Sequence, residues 1–184
     1  MFKNIFILIF ISLFLASCWD TTTDSATWLI KTDTENISIS IPSNWKIIES
    51  TKDILPKAKS WEIELAVMSE NVVNGFSNNL LILSDDLNKF TTSKEFSMLN
   101  NIWAQTDYLD YTKISSKDIT FTDEEVSTLY IFDAKYNLDT PKLKFLQTAH
   151  ICNQNKAYFL TLAIPTTIKD TSKYEYLLST FNCK

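Results

Sequence analysis

KLKFLQTAHIC (residues 142–152) and AYFLTLAI (residues 157–164) are two apolar runs of strand length, separated by the polar tetrapeptide NQNK (residues 153–156). A polar four-residue connection between two such runs is typical of an antiparallel hairpin. We therefore predict that these two strands are neighbours in a sheet. Because side chains alternate across a strand, the residues expected to share one face are Leu146, Thr148, His150 and Cys152.

Shorter runs before the hairpin also have strand patterns. ISISI (residues 37–41) alternates three isoleucines with two serines, which is typical of a strand with one buried face. Gly75 lies in a polar stretch where we expect a turn with a positive φ angle. A polar turn at residues 115–118 is expected to separate two strands, and the acidic residues 123–125 are expected to form a solvated hairpin tip. The other predicted strands are 28–31, 45–48, 61–68, 80–83, 108–114, 119–122 and 126–136.

Two helices are predicted from capping boxes, in which a Ser or Thr side chain accepts a backbone N–H bond and a Glu three residues later reaches back. Thr92 and Glu95 form the first box, and Ser172 and Glu175 form the second. Apolar residues follow each box at helical spacing, so these stripes are expected to bury against a sheet. The stripes are Phe96, Leu99, Ile102 and Trp103 in the first helix, and Tyr174, Leu177, Leu178 and Phe181 in the second.

The elements follow the order strands, helix, strands, helix, which predicts a single α+β domain with an antiparallel sheet.

The composition excludes several classes of function. The 184 residues include 17 Lys+Arg, all of them lysine, and 22 Asp+Glu, which gives a net charge of −5. A nucleic-acid partner is therefore not expected. Gly75 is the single glycine, whereas phosphate loops, dinucleotide fingerprints and esterase elbows need several glycines.

The chain offers few residues for catalysis or metal binding. His150 is the single histidine, and without a visible acid or nucleophile partner it is expected to have a structural role. Asp85 and Asp86 are adjacent, so they cannot easily face one substrate as a catalytic pair. The acidic triplet 123–125 lacks the staggered ligands of a calcium loop, and the cysteine spacing does not fit a zinc site. No catalytic, metal or cofactor site is therefore predicted, and we expect a protein that is not an enzyme.

The first 18 residues have the layout of an exported precursor. Lys3 precedes an apolar run, residues 5–15, which is too short to span a membrane comfortably. The run ends in Leu15-Ala16-Ser17-Cys18, which resembles the lipobox of bacterial lipoproteins. In that family the cysteine is acylated and becomes the mature N-terminus, and thiol nucleophilicity is the chemical reason for a cysteine at this position.

This resemblance implies a signal peptide at residues 1–17 and lipidation with palmitate at Cys18. The residues after the cysteine are polar and lack periodicity, so residues 18–27 are expected to form the acylated N-terminus and a flexible tether, and residues 28–184 are expected to form one domain. The resemblance also implies that a lipid anchor holds the protein at the cell membrane or the outer membrane, facing away from the cytoplasm. The alternatives are an ordinary signal peptide and an uncleaved anchor.

Cys152 and Cys183 are expected to form a disulfide, because an exported protein meets an oxidising compartment and each cysteine ends an element that should pack on the other. Such a bridge would stabilise the fold by about 3.5 kcal/mol on the chain-entropy account. Two free cysteines are the alternative, since Cys152 could simply be buried.

Four segments together resemble the PsbP-like superfamily, which includes the PsbP subunits of photosystems and the DcrB-type bacterial lipoproteins. They are ISISIPSNW (37–45), TSKEF (92–96), AYFLTLA (157–163) and YLLSTF (176–181). The resemblance implies an antiparallel sheet flanked by helices on both faces, an α/β/α sandwich. Members mostly bind other proteins, and none of their site residues can be placed on this sequence.

Three classes of function follow from these observations. The first is a non-catalytic module, anchored in the bacterial envelope, that binds or helps to assemble another envelope protein. The second is a carrier of a small molecule or lipid in a pocket lined by aromatic side chains. The third, an envelope hydrolase, lacks a visible pair of nucleophile and base. A dry pocket of ligand size would favour the carrier, and converging titratable groups would favour the enzyme.

Overall fold

The computed structural model describes residues 28–48, 61–73 and 75–184. The predicted signal peptide, the lipobox with Cys18 and the tether lie outside the described residues. The strands are β1 Leu29–Asp33, β2 Ile37–Pro42, β3 Trp45–Ile47, β4 Glu62–Val73, β5 Phe76–Asp86, β6 Leu109–Thr120, β7 Val126–Lys135, β8 Leu143–Cys152, β9 Lys156–Pro165 and β10 Asn182–Cys183; the helices are α1 Ser93–Asp107 and α2 Ser172–Ser179.

The strands form two sheets in which every pair of neighbours is antiparallel. The large sheet has seven strands in the order β3-β4-β5-β9-β8-β7-β6, and the small sheet has three in the order β1-β2-β10. The predicted hairpin is confirmed, because β8 and β9 pair from Leu143 opposite Pro165 to Cys152 opposite Lys156. Asn153 and Gln154 have positive φ angles of 51° and 67°, which close the turn between them.

Two strand boundaries differ from the prediction. β4 and β5 extend far into the polar stretch around Gly75, where the turn is expected, and pair up to Val73 opposite Phe76. Gly75 has the expected positive φ, 77°. The predicted break at residues 115–118 is wrong, because these residues pair with β7 inside a continuous β6. β6 lies at the edge of the large sheet, where exposed lysines and other polar side chains are common in strands.

The two helix starts had different outcomes. The first capping box is confirmed: Thr92 Oγ1 accepts a hydrogen bond from the Glu95 N–H at 3.2 Å, and Glu95 Oε2 accepts one from the Thr92 N–H at 3.0 Å. The second capping box is wrong, because Ser172 is not the residue that caps the helix. Thr171 precedes α2 as its cap, and its hydroxyl bonds to the Glu175 carboxylate at 2.7 Å instead of to the backbone.

Each face of the large sheet has its own core. On one face the isoleucines of β2 and the buried side of α2 pack against alternate residues of six strands, β4 to β9. The predicted burial of the second helical stripe is confirmed for Tyr174, Leu177, Leu178 and Phe181. On the other face lies α1, which contacts β6 to β9. The expected arrangement of helices flanking a sheet on both faces is not confirmed, because the small sheet covers much of the first face. No helix in the described residues is long and apolar enough to cross a membrane.

Candidate functional site

The side of α1 that faces the large sheet is mainly polar. Ser93, Ser97, Asn100 and Asn101 are buried there beside Phe96 and Ala104. The small hydroxyls bond directly to the sheet: Ser97 Oγ donates to the Thr128 carbonyl at 2.6 Å, and Ser93 Oγ accepts from the Ile151 N–H at 3.0 Å. Hydrogen bonds and small side chains therefore hold the helix close to the sheet, in addition to its two buried apolar residues.

The apolar side of α1 faces outward. Met98, Leu99, Ile102 and Trp103 are between 43% and 54% exposed and lie at spacings of i, i+1, i+4 and i+5, which places them on one side of a helix. The prediction that Leu99, Ile102 and Trp103 are core residues is wrong; only Phe96 of that stripe is buried. Ser93, Ser97 and Asn101 bond to groups of the sheet, whereas Asn100 Nδ2 donates to the Phe96 carbonyl within the helix. The buried polar side chains therefore have partners, and the helix can dock by its polar side. We call the four exposed residues the α1 stripe.

The charges beside the α1 stripe are mixed, and two of the acids there, Glu95 and Asp107, have no ion pair among the described residues. Lys94 is paired with Asp118 on β6, Nζ to Oδ2 2.8 Å. Glu95 is exposed on the outer side, where hydrogen bonds from Thr92 lower the pKa of its carboxyl. The last turn of α1 contains no basic residue, and Asp107 ends it. An acid at a helix C-terminus meets the negative end of the helix dipole, so a cation from another molecule would be stabilised here.

His150 is a buried titratable side chain on the opposite face of the large sheet. It is 2% exposed, and the rings of Phe121 and Phe181 lie 4.7 Å and 5.1 Å from its ring, centroid to centroid. Its Nε2 lies 2.9 Å from Asp123 Oδ2. His150 shares its face with Leu146 and Cys152, as predicted.

The other ring nitrogen of His150 faces a disulfide. Cys152 and Cys183 are joined as expected, with their Cα atoms 5.9 Å apart. His150 Nδ1 lies 3.4 Å from Cys183 Sγ and 3.7 Å from Cys152 Sγ. A carboxylate, an imidazole and two sulfur atoms thus meet where β8 ends beside β10.

Asp123 is the residue of this cluster that the sequence pattern does not reveal, because the acidic triplet 123–125 resembles a solvated hairpin tip. The pairing of β7 with β8 indicates that Asp123 lies near His150. β7 and β8 pair with Tyr130 opposite Gln147, and continuing that register places the loop before β7 beside the end of β8, where His150 lies. The acidic loop is therefore close to His150 in any meander of these strands. Asp86 is instead paired with Lys156, Oδ1 to Nζ 3.1 Å.

A cleft of about 280 Å³ opens next to the disulfide. Its lining includes Cys152, Asp86, Glu35 and Lys184, together with Tyr158. Most of these side chains are charged or polar, which differs from the aromatic lining predicted for a carrier. Burial, followed by repulsion from the nearby carboxylates of Glu64 and Asp86, raises the pKa of Tyr158 to about 12.

We expect two of the seven tyrosines to ionise last, near pH 12. Burial raises the pKa of Tyr108 to about 12 as well, whereas an exposed tyrosine ionises near pH 10. Since both native pKa values exceed the unfolded value, the stability that depends on these neutral phenols is complete below pH 10 and is lost as the pH rises toward 12. Phenolate absorbance during a pH titration checks this. Tyr158→Phe should remove one late step, and a single step near pH 10 for all seven tyrosines would contradict the assignment.

Comparison with known proteins defines the fold of this chain. No family model and no curated protein matches the sequence. The structure is similar to the solution structure of cyanobacterial PsbP (CyanoP) from Synechocystis sp. PCC 6803, with a TM-score of 0.58 and 16% identity over 92% of this chain and 99% of that chain. A crystal structure from Bacteroides thetaiotaomicron VPI-5482 has a TM-score of 0.38 and 9% identity over 80% of this chain and 45% of that one. At such identities the likeness concerns the fold alone, and it confirms that part of the resemblance found in the sequence. The chain has a PsbP-like fold.

Proposed function

We propose that this protein is a lipid-anchored, non-catalytic module of the bacterial envelope that binds another envelope protein through the α1 stripe. The observation that carries the proposal is the orientation of α1, which exposes Leu99, Ile102 and Trp103 and buries serines and asparagines. The exposed area of the stripe is on the order of 400 Å², the size of apolar patches that mark interaction sites on monomers.

A protein partner fits this surface better than a membrane does. Trp28 and Leu29, where the predicted tether joins the domain, pack on the face of the large sheet opposite α1. The nine residues between Cys18 and Trp28 allow a reach of at most about 35 Å, so an anchor at Cys18 favours an α1 stripe that points away from the lipid. The net charge of −5 and the absence of basic residues from the last turn of α1 also disfavour an anionic lipid surface.

The partner is expected to present an apolar ridge with basic residues around it. Two copies of this acidic chain would repel each other. The stripe covers about half of the roughly 800 Å² that each partner contributes to a standard interface, so polar surface around the stripe must supply the rest. The partner's basic rim would meet Glu95 and Asp107 beside the stripe. Anchoring both proteins in one envelope raises their effective concentration to about the millimolar range, so a modest affinity is sufficient.

The non-catalytic part of the proposal is supported by the surroundings of His150. Its Nε2 contacts Asp123, and its Nδ1 contacts two sulfur atoms that are bonded to each other. Neither sulfur is a free nucleophile in that state. Asp85 and Asp86 are consecutive residues of β5, so their side chains point to opposite faces of the sheet.

The double substitution Ile102→Ser and Trp103→Ser is expected to weaken partner binding by about 100-fold, because a buried interface Trp contributes about 2 kcal/mol or more and each 1.4 kcal/mol is tenfold. Both positions are about half exposed, so the melting temperature should hardly change. Co-isolation of the partner with tagged, membrane-anchored protein measures the effect. Added salt should reduce the amount of partner that the native protein retains.

The matched control is Ile30→Ser on β1. Ile30 is 51% exposed and Ile102 is 49% exposed, and Ile30 belongs to the small sheet, away from α1. The control should retain the partner at the native level. Equal retention by the α1 double variant and the control would contradict the proposed surface.

A further inference from the structure

The disulfide cluster brings together three atoms that bind transition metals. His150 Nδ1, Cys152 Sγ and Cys183 Sγ lie within 4.8 Å of one another. His150 and Cys152 are buried, and Cys183 is partly exposed. The sequence separates the two cysteines by 31 positions, so no motif predicts this cluster, and it arises because β10 ends beside β8.

The nitrogen-to-sulfur distances match the edges of a tetrahedral zinc site. With Zn–S bonds of about 2.3 Å and Zn–N bonds of about 2.05 Å, a tetrahedral site has S···N edges of about 3.5 Å and an S···S edge of about 3.8 Å. The observed distances from His150 Nδ1 to the two sulfurs are 3.4 Å and 3.7 Å. Only the two sulfur atoms need to move apart, to the S···S edge of about 3.8 Å, once the bond between them is broken.

Asp123 holds the imidazole in the form that a metal requires. A carboxylate accepts hydrogen bonds, so His150 Nε2 carries the proton that it donates to Asp123 Oδ2 at 2.9 Å. In the neutral ring the lone pair then lies on Nδ1, which faces the sulfurs. Bonded sulfurs have no hydrogen to donate, so this buried lone pair has no donor among the described residues. A histidine that ligates a metal commonly donates its other N–H to a carboxylate in the same way.

We propose that reduction of the Cys152–Cys183 disulfide creates a Zn²⁺ site formed by Cys152 Sγ, Cys183 Sγ and His150 Nδ1. A reductant of the dithiol class transfers two electrons and two protons to the disulfide and leaves as a cyclic disulfide, while the S–S bond breaks and two S–H bonds form. Zn²⁺ then replaces both thiol protons, which pass to solvent. The site has three protein ligands, and water completes the tetrahedron.

Charge and access are consistent with this site. Two thiolates neutralise Zn²⁺, so the occupied cluster adds no net charge to a buried region, whereas two unpaired thiolates would be costly there. The polar cleft of about 280 Å³ reaches Cys152 and provides a path for a hydrated ion. β10 has only two residues and is paired to a single strand, so Cys183 can shift without disturbing the large sheet.

The test compares metal binding by the reduced and the oxidised full-length protein. The protein is reduced with an excess of a small dithiol, desalted without oxygen, and titrated with Zn²⁺ against a chromophoric chelator. We expect one Zn²⁺ per reduced chain and binding at least about 100-fold weaker to the oxidised chain. Co²⁺ in place of Zn²⁺ should give the thiolate charge-transfer bands of a tetrahedral site, and zinc X-ray absorption should show two sulfur neighbours.

Variants separate this site from general binding to cysteines. Cys183→Ser should abolish stoichiometric binding. Asp123→Asn should weaken it by about 10-fold to 100-fold, since it removes the charge that orients the ring. Asp86→Asn changes another carboxylate at the cleft and should leave the affinity within about twofold.

The proposal is overturned if the reduced protein binds no stoichiometric zinc, if X-ray absorption shows no sulfur neighbour, or if Cys183→Ser binds as tightly as the native chain. The absorption measurement needs no variant, so the test holds even if a substitution prevents folding. It is also independent of the α1 stripe.

Discussion

Phe181→Ala is expected to lower the free energy of unfolding by about 4 kcal/mol, in the usual range for removing a buried phenylalanine ring. Phe181 is 0% exposed, and its ring contacts the rings of Phe121, His150 and Tyr158 at centroid distances of 6.0 Å, 5.1 Å and 5.5 Å. Removing the ring leaves a cavity between α2 and the large sheet. Denaturant unfolding followed by tryptophan fluorescence measures the loss.

Phe90→Ala is the matched control for this substitution. Phe90 is 76% exposed, so its removal should change the free energy of unfolding by less than about 0.5 kcal/mol. Equal effects of the two substitutions would mean that Phe181 does not anchor the end of the chain on the sheet.

Cys18→Ala is expected to abolish lipid attachment and, with it, retention of the processed protein in the membrane. Each buried methylene contributes about 0.8 kcal/mol and two acyl chains are enough for stable anchoring, so the loss should be nearly complete. The variant should accumulate as an unprocessed precursor or in the soluble fraction, without incorporating labelled palmitate.

The control for the anchor is a chain with Cys152→Ala and Cys183→Ala, which removes the other two cysteines of the sequence. This variant should incorporate palmitate at the native level. Unchanged labelling of Cys18→Ala would refute the lipoprotein assignment.

The orientation of α1 shows that hydrophobic periodicity predicts a helix but does not predict which side of the helix is buried. The pattern of Leu99, Ile102 and Trp103 correctly predicts a helix with one apolar side. It does not say that this side faces the sheet. The expectation of burial depends on the general observation that apolar stripes are usually buried. The buried side is instead decided by hydrogen bonds such as Ser97 Oγ to the Thr128 carbonyl, which depend on strand positions that no local pattern contains.

The strands were predictable where both faces are constrained. β8 and β9 are central in the large sheet. Their apolar runs and the turn residues between them both predict the same hairpin. β6 lies at the edge and has polar residues along most of its length, so its middle resembles a turn. The pairing of His150 with Asp123 joins two segments 27 positions apart, and it becomes visible only when the register of β7 and β8 is known.

We propose that another protein covers the α1 stripe in the native envelope. Photocrosslinking tests it most directly: a photoreactive amino acid is placed at position 102 in the anchored protein, and at position 30 as the control. We expect position 102 to crosslink to a single distinct protein. High salt should abolish this crosslink, and position 30 should give a weak crosslink or none. Crosslinks from position 102 to lipid only, to a second copy of this chain, or to nothing would contradict this proposal.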